Sequence, residues 1–141
     1  MPYWYRPIVN SDLIGEKLTI QLPGFMASRP EKCSIHYITL GDGEPLLLVH
    51  SLGQSLYTWR DLIPLLAEKY NVIALDLVGF GFSGRPVSMN YSMDEMADTL
   101  VEFVKALHID HVHAVGASLG GMYLLRGKVG FHPTFSRQGN D

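Results

Sequence analysis

The residues Gly116-Ala117-Ser118-Leu119-Gly120 form a G-x-S-x-G pattern. A serine hydroxyl is a poor nucleophile and needs exposure, a base and a site for the developing oxyanion. This pattern, the nucleophile elbow, supplies the exposure by placing serine on a sharp turn between strand and helix, with glycines where backbones crowd. The bland alternative is an incidental strand-to-helix turn. Here the apolar run His111–Val115 precedes the pattern and a helical stretch Leu119–Arg126 follows, as the motif demands. Ser118 is therefore the candidate nucleophile. Gly121 is expected to let the helix pack closely on the sheet.

His50-Ser51-Leu52-Gly53 follows a second apolar run, Leu46–Val49. A glycine-containing turn after a strand can aim a backbone N–H at an oxyanion; the alternative is an ordinary loop. A third stretch, Asp76-Leu77-Val78-Gly79-Phe80-Gly81-Phe82-Ser83-Gly84, literally contains G-x-G-x-x-G. Dinucleotide binding is rejected, because that fingerprint needs its last glycine to open a helix. Arg85-Pro86 follows instead, and Asp98 falls within a helix rather than at a strand end. There is no G-x-x-x-x-G-K-[ST] motif and no His or Cys pair at zinc spacing, and His111-x-His113 reads as strand pattern. His36, His108, His111 and His113 read as ordinary surface or strand residues.

The elements that must position these groups follow from periodicity. Lys17–Leu22 alternates and reads as a strand ended by Pro23-Gly24, and Phe25–Lys32 as a loop. Cys33–Leu40 is a second strand, closed by the turn cluster Gly41–Pro45. Leu46–His50, Asn71–Leu77 and His111–Val115 are short apolar runs, as expected of strands buried on both faces. Leu56–Tyr70 has helical spacing, with Pro64 beginning or kinking a segment. Val78–Asn90 reads as loop. Ser92-Met93-Asp94-Glu95 is a capping box opening a helix that carries Met96, Leu100, Phe103, Val104 and Leu107. The alternation implies an α/β fold, a mostly parallel sheet with flanking helices, edged by the two earlier strands as a hairpin.

Composition bounds the rest. A chain of 141 residues, 47% hydrophobic and 18% charged, is sized for one domain and too apolar for a disordered chain. A net charge of −3 gives no global basic footprint for nucleic acid. No apolar run approaches a membrane span, and Met1–Asn10 lacks a signal peptide's apolar stretch. Cys33 is the only cysteine, so no disulfide forms within the chain. The expectation is a cytoplasmic protein.

Taken together, H-x-x-G, D-x-x-G-x-G-x-S and G-x-S-x-G in this order resemble the α/β-hydrolase superfamily, especially its esterase, C–C hydrolase and epoxide hydrolase-like branch. The resemblance runs from about Ile35 to Leu125. Leu46–His50 is similar to the family's third strand and oxyanion turn. Trp59, Pro64 and Leu66 sit where its first helix carries such residues. The resemblance implies Ser118 as nucleophile and the amides of Leu52 and Leu119 as oxyanion hole. His50, Gly53, Asp76, Gly79, Gly81, Gly116 and Gly120 would be motif or structural residues. It implies no cofactor and no metal, and a small ester-like substrate. Ser51 stands where the family usually has Gly, which restricts the φ values that aim the Leu52 amide, and Val78 where it usually has Pro. Relatives that open epoxides or release halide usually hold Asp at the elbow, so Ser118 argues against those chemistries.

The family order places an acid and then a histidine after the nucleophile. Beyond Ser118 the sequence offers only Asp141 and His132. The expected organisation is an N-terminal part of the domain over residues 1–126 and an unrelated tail over 127–141, with no lid segment. The expectation is an incomplete hydrolase of little activity whose strand His111–Val115 has an open edge prone to self-association. Two other readings stand beside it. One is a non-enzymatic binding module or half-domain needing a complementing chain; the other, resting only on the βαβ pattern, is a mononucleotide-binding domain.

Overall fold

A computed structural model describes residues 15–22 and 31–129 of the chain. The expectations for Met1–Asn10, for Pro23-Gly24, for most of the loop Phe25–Lys32, and for His132 and Asp141 lie outside the described residues.

The element order is β1 (Glu16–Gln21), β2 (Lys32–Leu40), β3 (Glu44–Val49), a 3₁₀ turn (Leu56–Trp59), α1 (Ile63–Leu66), β4 (Tyr70–Leu75), α2 (Met93–Ala106), β5 (His113–Gly116) and α3 (Leu119–Gly127). The sheet runs β1-β2-β4-β3-β5. β1 pairs antiparallel with β2, and β2 antiparallel with β4. β4, β3 and β5 are mutually parallel, with Leu47 opposite Ile73 and Val49 opposite Gly116. The expected edge hairpin and parallel centre are both present.

Alternation within the central strands builds two cores, because successive side chains point to opposite faces. Leu47, Val49, Ile73 and Leu75 face a cluster containing Met96, Leu100 and Phe103 of α2 and Leu124 of α3. Leu46, Leu48, Val72 and Ala74 face Leu56 and Ile63, with Trp59 and Leu66 at the margin. Ser92 caps α2 as expected: its hydroxyl accepts from the Glu95 N–H at 3.2 Å and donates to the Glu95 carboxylate at 2.9 Å.

Two expectations are corrected. The helical spacing of Leu56–Tyr70 becomes two short pieces rather than one helix. Pro64 lies in the first turn of α1, where its missing N–H has no partner to lose. Upstream, the Leu56 N–H is drawn off to the Asp76 carboxylate. The second correction concerns β5. It is not buried on both faces; its residues are half-buried and Val115 is 43% exposed. Among the described residues β5 pairs only with β3 and forms the sheet edge.

Candidate active site

Three loops meet at the carboxyl ends of the parallel strands, the end at which open α/β sheets hold ligands. The 50–53 turn follows β3, the 76–84 loop follows β4, and Ser118 follows β5.

Ser118 sits between β5 and α3 with φ 53° and ψ −117°. An L-residue rarely adopts such a backbone, at a cost of about 1–3 kcal/mol, and the surrounding structure must hold it there. The Ala117 N–H donates to the Val49 carbonyl at 3.0 Å, tying the turn to β3. A Cβ on Gly116 would lie 2.4 Å from the Gly121 nitrogen, and one on Gly120 2.5 Å from the His50 carbonyl oxygen. The glycines of the motif are thus required by close backbone approach. Gly120 packs against the end of β3, and Gly121 against Gly116 at the end of β5, the close helix–sheet approach expected of it. The turn exposes Ser118, whose side chain makes no capping hydrogen bond on α3. The Leu119 N–H opens α3, where no acceptor within the helix exists.

The 50–53 turn is closed by the Gln54 N–H donating to the Ser51 carbonyl at 3.2 Å. Its positive φ falls on Gly53, at 77°, while Ser51 stays outside the left-handed region. The expected restriction by Ser51 is therefore not felt, because the residue needing freedom is Gly53. Leu52 is 60% exposed at the tip, and its N–H has no hydrogen-bond partner among the described residues. His50 is fully buried, with Nδ1 2.8 Å from the Ser51 carbonyl oxygen and Nε2 2.9 Å from the Leu77 nitrogen. Burial pulls its pKa below the usual histidine value.

Asp76 is the hub of the third loop. One carboxylate oxygen accepts from the Leu56 N–H at 2.8 Å; the other accepts from the Phe82 N–H at 2.9 Å and from His36 Nδ1 at 2.8 Å. A Cβ on Gly81 would lie 2.3 Å from this carboxyl group. Ser83 donates to the Asp76 carbonyl at 2.6 Å and accepts from the His36 N–H at 2.9 Å. Gly79 lies under the ring of Tyr91. Gly84 donates its N–H to Ser34 of β2, so the glycine-rich stretch closes back on the sheet rather than opening a helix. His36 is the residue that the sequence reading undervalued. It is a strand residue, but buried and paired with Asp76. Its position within the stretch Ile35–Ile38 was the only signal; its partner lies 40 residues away.

A cleft of about 280 Å³ adjoins the 50–53 turn, lined by Leu52, Gly79, Phe80, Arg85, Tyr91, Met96 and Tyr123. Among the described residues no group of three His, Cys, Asp or Glu could hold a metal. No helix among them is long and apolar enough to cross a membrane.

This arrangement of sheet, loops and elbow accords with the comparison to known proteins. The family model of the alpha/beta hydrolase fold matches residues 44–126, more than half of the chain, and the chain belongs to that family. It is similar to a soluble epoxide hydrolase of Corynebacterium sp. (strain C12), 44% identical over 87 residues that cover 62% of this chain and 30% of the relative. It is also similar to a 2-hydroxy-6-oxo-6-(2'-aminophenyl)hexa-2,4-dienoic acid hydrolase of Metapseudomonas resinovorans, 40% identical over 89 residues covering 60% of this chain and 30% of the relative. The solved structure of the epoxide hydrolase CorEH without ligand superposes with a TM-score of 0.64 at 36% identity, covering 79% of this chain and 37% of that one. The chain thus spans about 30% of the length of the curated relatives it matches.

Proposed function

We propose that this chain carries the nucleophile and oxyanion half of a serine hydrolase acting on a carboxylic ester or related acyl bond. The observation that carries the reading is the strained, exposed Ser118 at φ 53° between β5 and α3. In this reading Ser118 Oγ attacks the carbonyl carbon as its proton passes to a base. The carbonyl oxygen takes up the electron pair and accepts from the N–H groups of Leu52 and Leu119. Collapse of this intermediate expels the leaving group, which takes a proton, and water then cleaves the acyl-serine.

Ser118 also bears on which relative to follow. Attack by a serine oxygen on an epoxide carbon would leave an ether, which water cannot release by adding to a carbonyl. An acyl-serine ester can be so released. Ser118 therefore favours acyl chemistry over epoxide opening, although an epoxide hydrolase is among the relatives. The cleft beside Leu52, walled by Phe80, Tyr91, Met96 and Tyr123, suits an apolar acyl or leaving group.

The general base is assigned to residues outside 15–22 and 31–129. His50 has both ring nitrogens engaged, His36 is held by Asp76, and His113 by Glu44. Residues 1–126 form the hydrolase part in this reading, and the tail proposed from 127 onward begins packed against it, with Val129 buried on the larger cluster. Incubated with excess fluorophosphonate and with imidazole as an external base, the chain should gain one adduct that maps to Ser118 and is absent from Ser118→Ala. An unmodified Ser118 would sink the assignment. Turnover of p-nitrophenyl esters tests whether residues 1–141 supply that base: without one, only the residual catalysis of oxyanion hole and binding remains. Ordinary enzyme turnover abolished by Ser118→Ala would show that the chain carries its own base.

The open edge of β5 favours a second reading: a half-domain that pairs with a further strand from another chain or another copy. A discrete partner that co-purifies with the chain and restores esterase activity would establish complementation.

A further inference from the structure

The direction of the Leu52 N–H depends on one peptide plane, and that plane is anchored from within the protein. The Leu77 N–H can only donate, so His50 Nε2, 2.9 Å from it, accepts. The buried ring is then the neutral Nδ1–H tautomer, and Nδ1 donates to the Ser51 carbonyl at 2.8 Å. The Ser51 C=O and the Leu52 N–H belong to the same planar trans peptide and point in opposite directions. Fixing the carbonyl on the imidazole therefore turns the Leu52 N–H away from it. The Gln54 N–H also donates to this carbonyl, at 3.2 Å, but Gln54 belongs to the same turn and moves with it. His50 instead ties the turn to the chain leaving β4. At the far end of the loop, Asp76 holds the Leu56 N–H at 2.8 Å.

We propose that His50 is a positioning residue that aims the Leu52 N–H into the oxyanion site through the Ser51 carbonyl. The proposal rests on the reading of Ser118 and Leu52 above. It assigns His50 neither proton transfer nor contact with substrate. A donor held rigid and left without a partner is what stabilises charge that develops only during reaction.

Two substitutions separate the two hydrogen bonds of the ring. His50→Asn places an amide nitrogen near the position of Nδ1 and keeps the donor to Ser51, but loses the acceptor for Leu77. His50→Gln places an amide oxygen near Nε2, keeping that acceptor and losing the donor. The experiment records amide resonances of the full 141-residue chain, ¹⁵N-labelled, before and after phosphonylation of Ser118 by a fluorophosphonate with imidazole as the external base. The phosphonyl oxygen stands in for the oxyanion. In the wild type and in His50→Asn, the Leu52 and Leu119 amide protons should both move downfield. In His50→Gln only Leu119 should move, and phosphonylation should slow by on the order of 10²-fold, as for the loss of one oxyanion donor.

A Leu52 shift and wild-type rate retained in His50→Gln overturn the proposal. So does a Leu52 shift lost from a folded His50→Asn, which decides the matter even where His50→Gln does not fold. A wild-type adduct that moves neither amide refutes the oxyanion reading itself, and no adduct refutes the nucleophile.

Discussion

Ser118 holds a conformation that its own chemistry does not favour, and that makes the cost measurable. Glycine accepts a positive φ without a Cβ penalty. Ser118→Gly should therefore raise the unfolding free energy by about 1 kcal/mol while removing the proposed nucleophile. Urea denaturation with an unchanged or lower midpoint would show that the backbone there is unstrained. His50 gives a pH signature. Burial lowers its folded pKa, whereas the unfolded chain binds the proton at the ordinary value of about 6.5. As pH falls through that value the unfolded state holds more protons, so stability declines. The decline from His50 ends once the pH is below its folded pKa. His50→Asn lacks this term, so the stability gap between wild type and variant should narrow from about pH 7.5 to about pH 5. A gap that stays constant would place His50 outside this linkage.

At the scale of elements, β5 differs most from its neighbours. Its apolar sequence resembles those of β3 and β4, yet those two are covered on both faces and paired on both edges, while β5 is neither among the described residues. An unpaired strand edge beside exposed apolar side chains is a template for pairing. The wild-type chain should therefore self-associate in sedimentation velocity, and Val115→Lys should shift it toward monomer. A monodisperse wild-type monomer would remove the edge as an association site. The strands, the capped helix α2 and the elbow were legible because each is written in local periodicity or a short motif. The break of Leu56–Tyr70 into two pieces was legible at Pro64, which begins the second piece, but the anchoring of the first piece was not, because Asp76 lies 20 residues along the chain from Leu56. The role of His36 was hidden for the same reason.

For the whole molecule, the two clusters on either face of the sheet share β3 and β4, so the described residues pack around one sheet. Its C-terminal margin is testable. α3 ends at Gly127, Lys128 takes the left-handed cap at φ 55°, and Val129 is buried against the larger cluster. The sequence-based boundary at 126 therefore falls inside the packed structure. A chain ending at Arg126 should melt measurably below one ending at Val129, since it loses the helix cap and a buried side chain. Equal melting temperatures would restore the boundary at 126.

The sequence by itself determined the order of strands and helices, the parallel centre of the sheet, the elbow around Ser118 and the family. The elements and the elbow follow from local spacing, the parallel centre from their alternation, and the family from the resemblance carried by three motifs in order. Only the tertiary structure decided that Asp76 gathers Leu56, Phe82 and His36, that His50 is locked neutral between Ser51 and Leu77, and that Gly53 rather than Ser51 bears the positive φ. These are facts about which groups meet after the sheet has assembled, and a buried donor or acceptor takes its partner from whatever packing brings within reach, not from its neighbours in the chain.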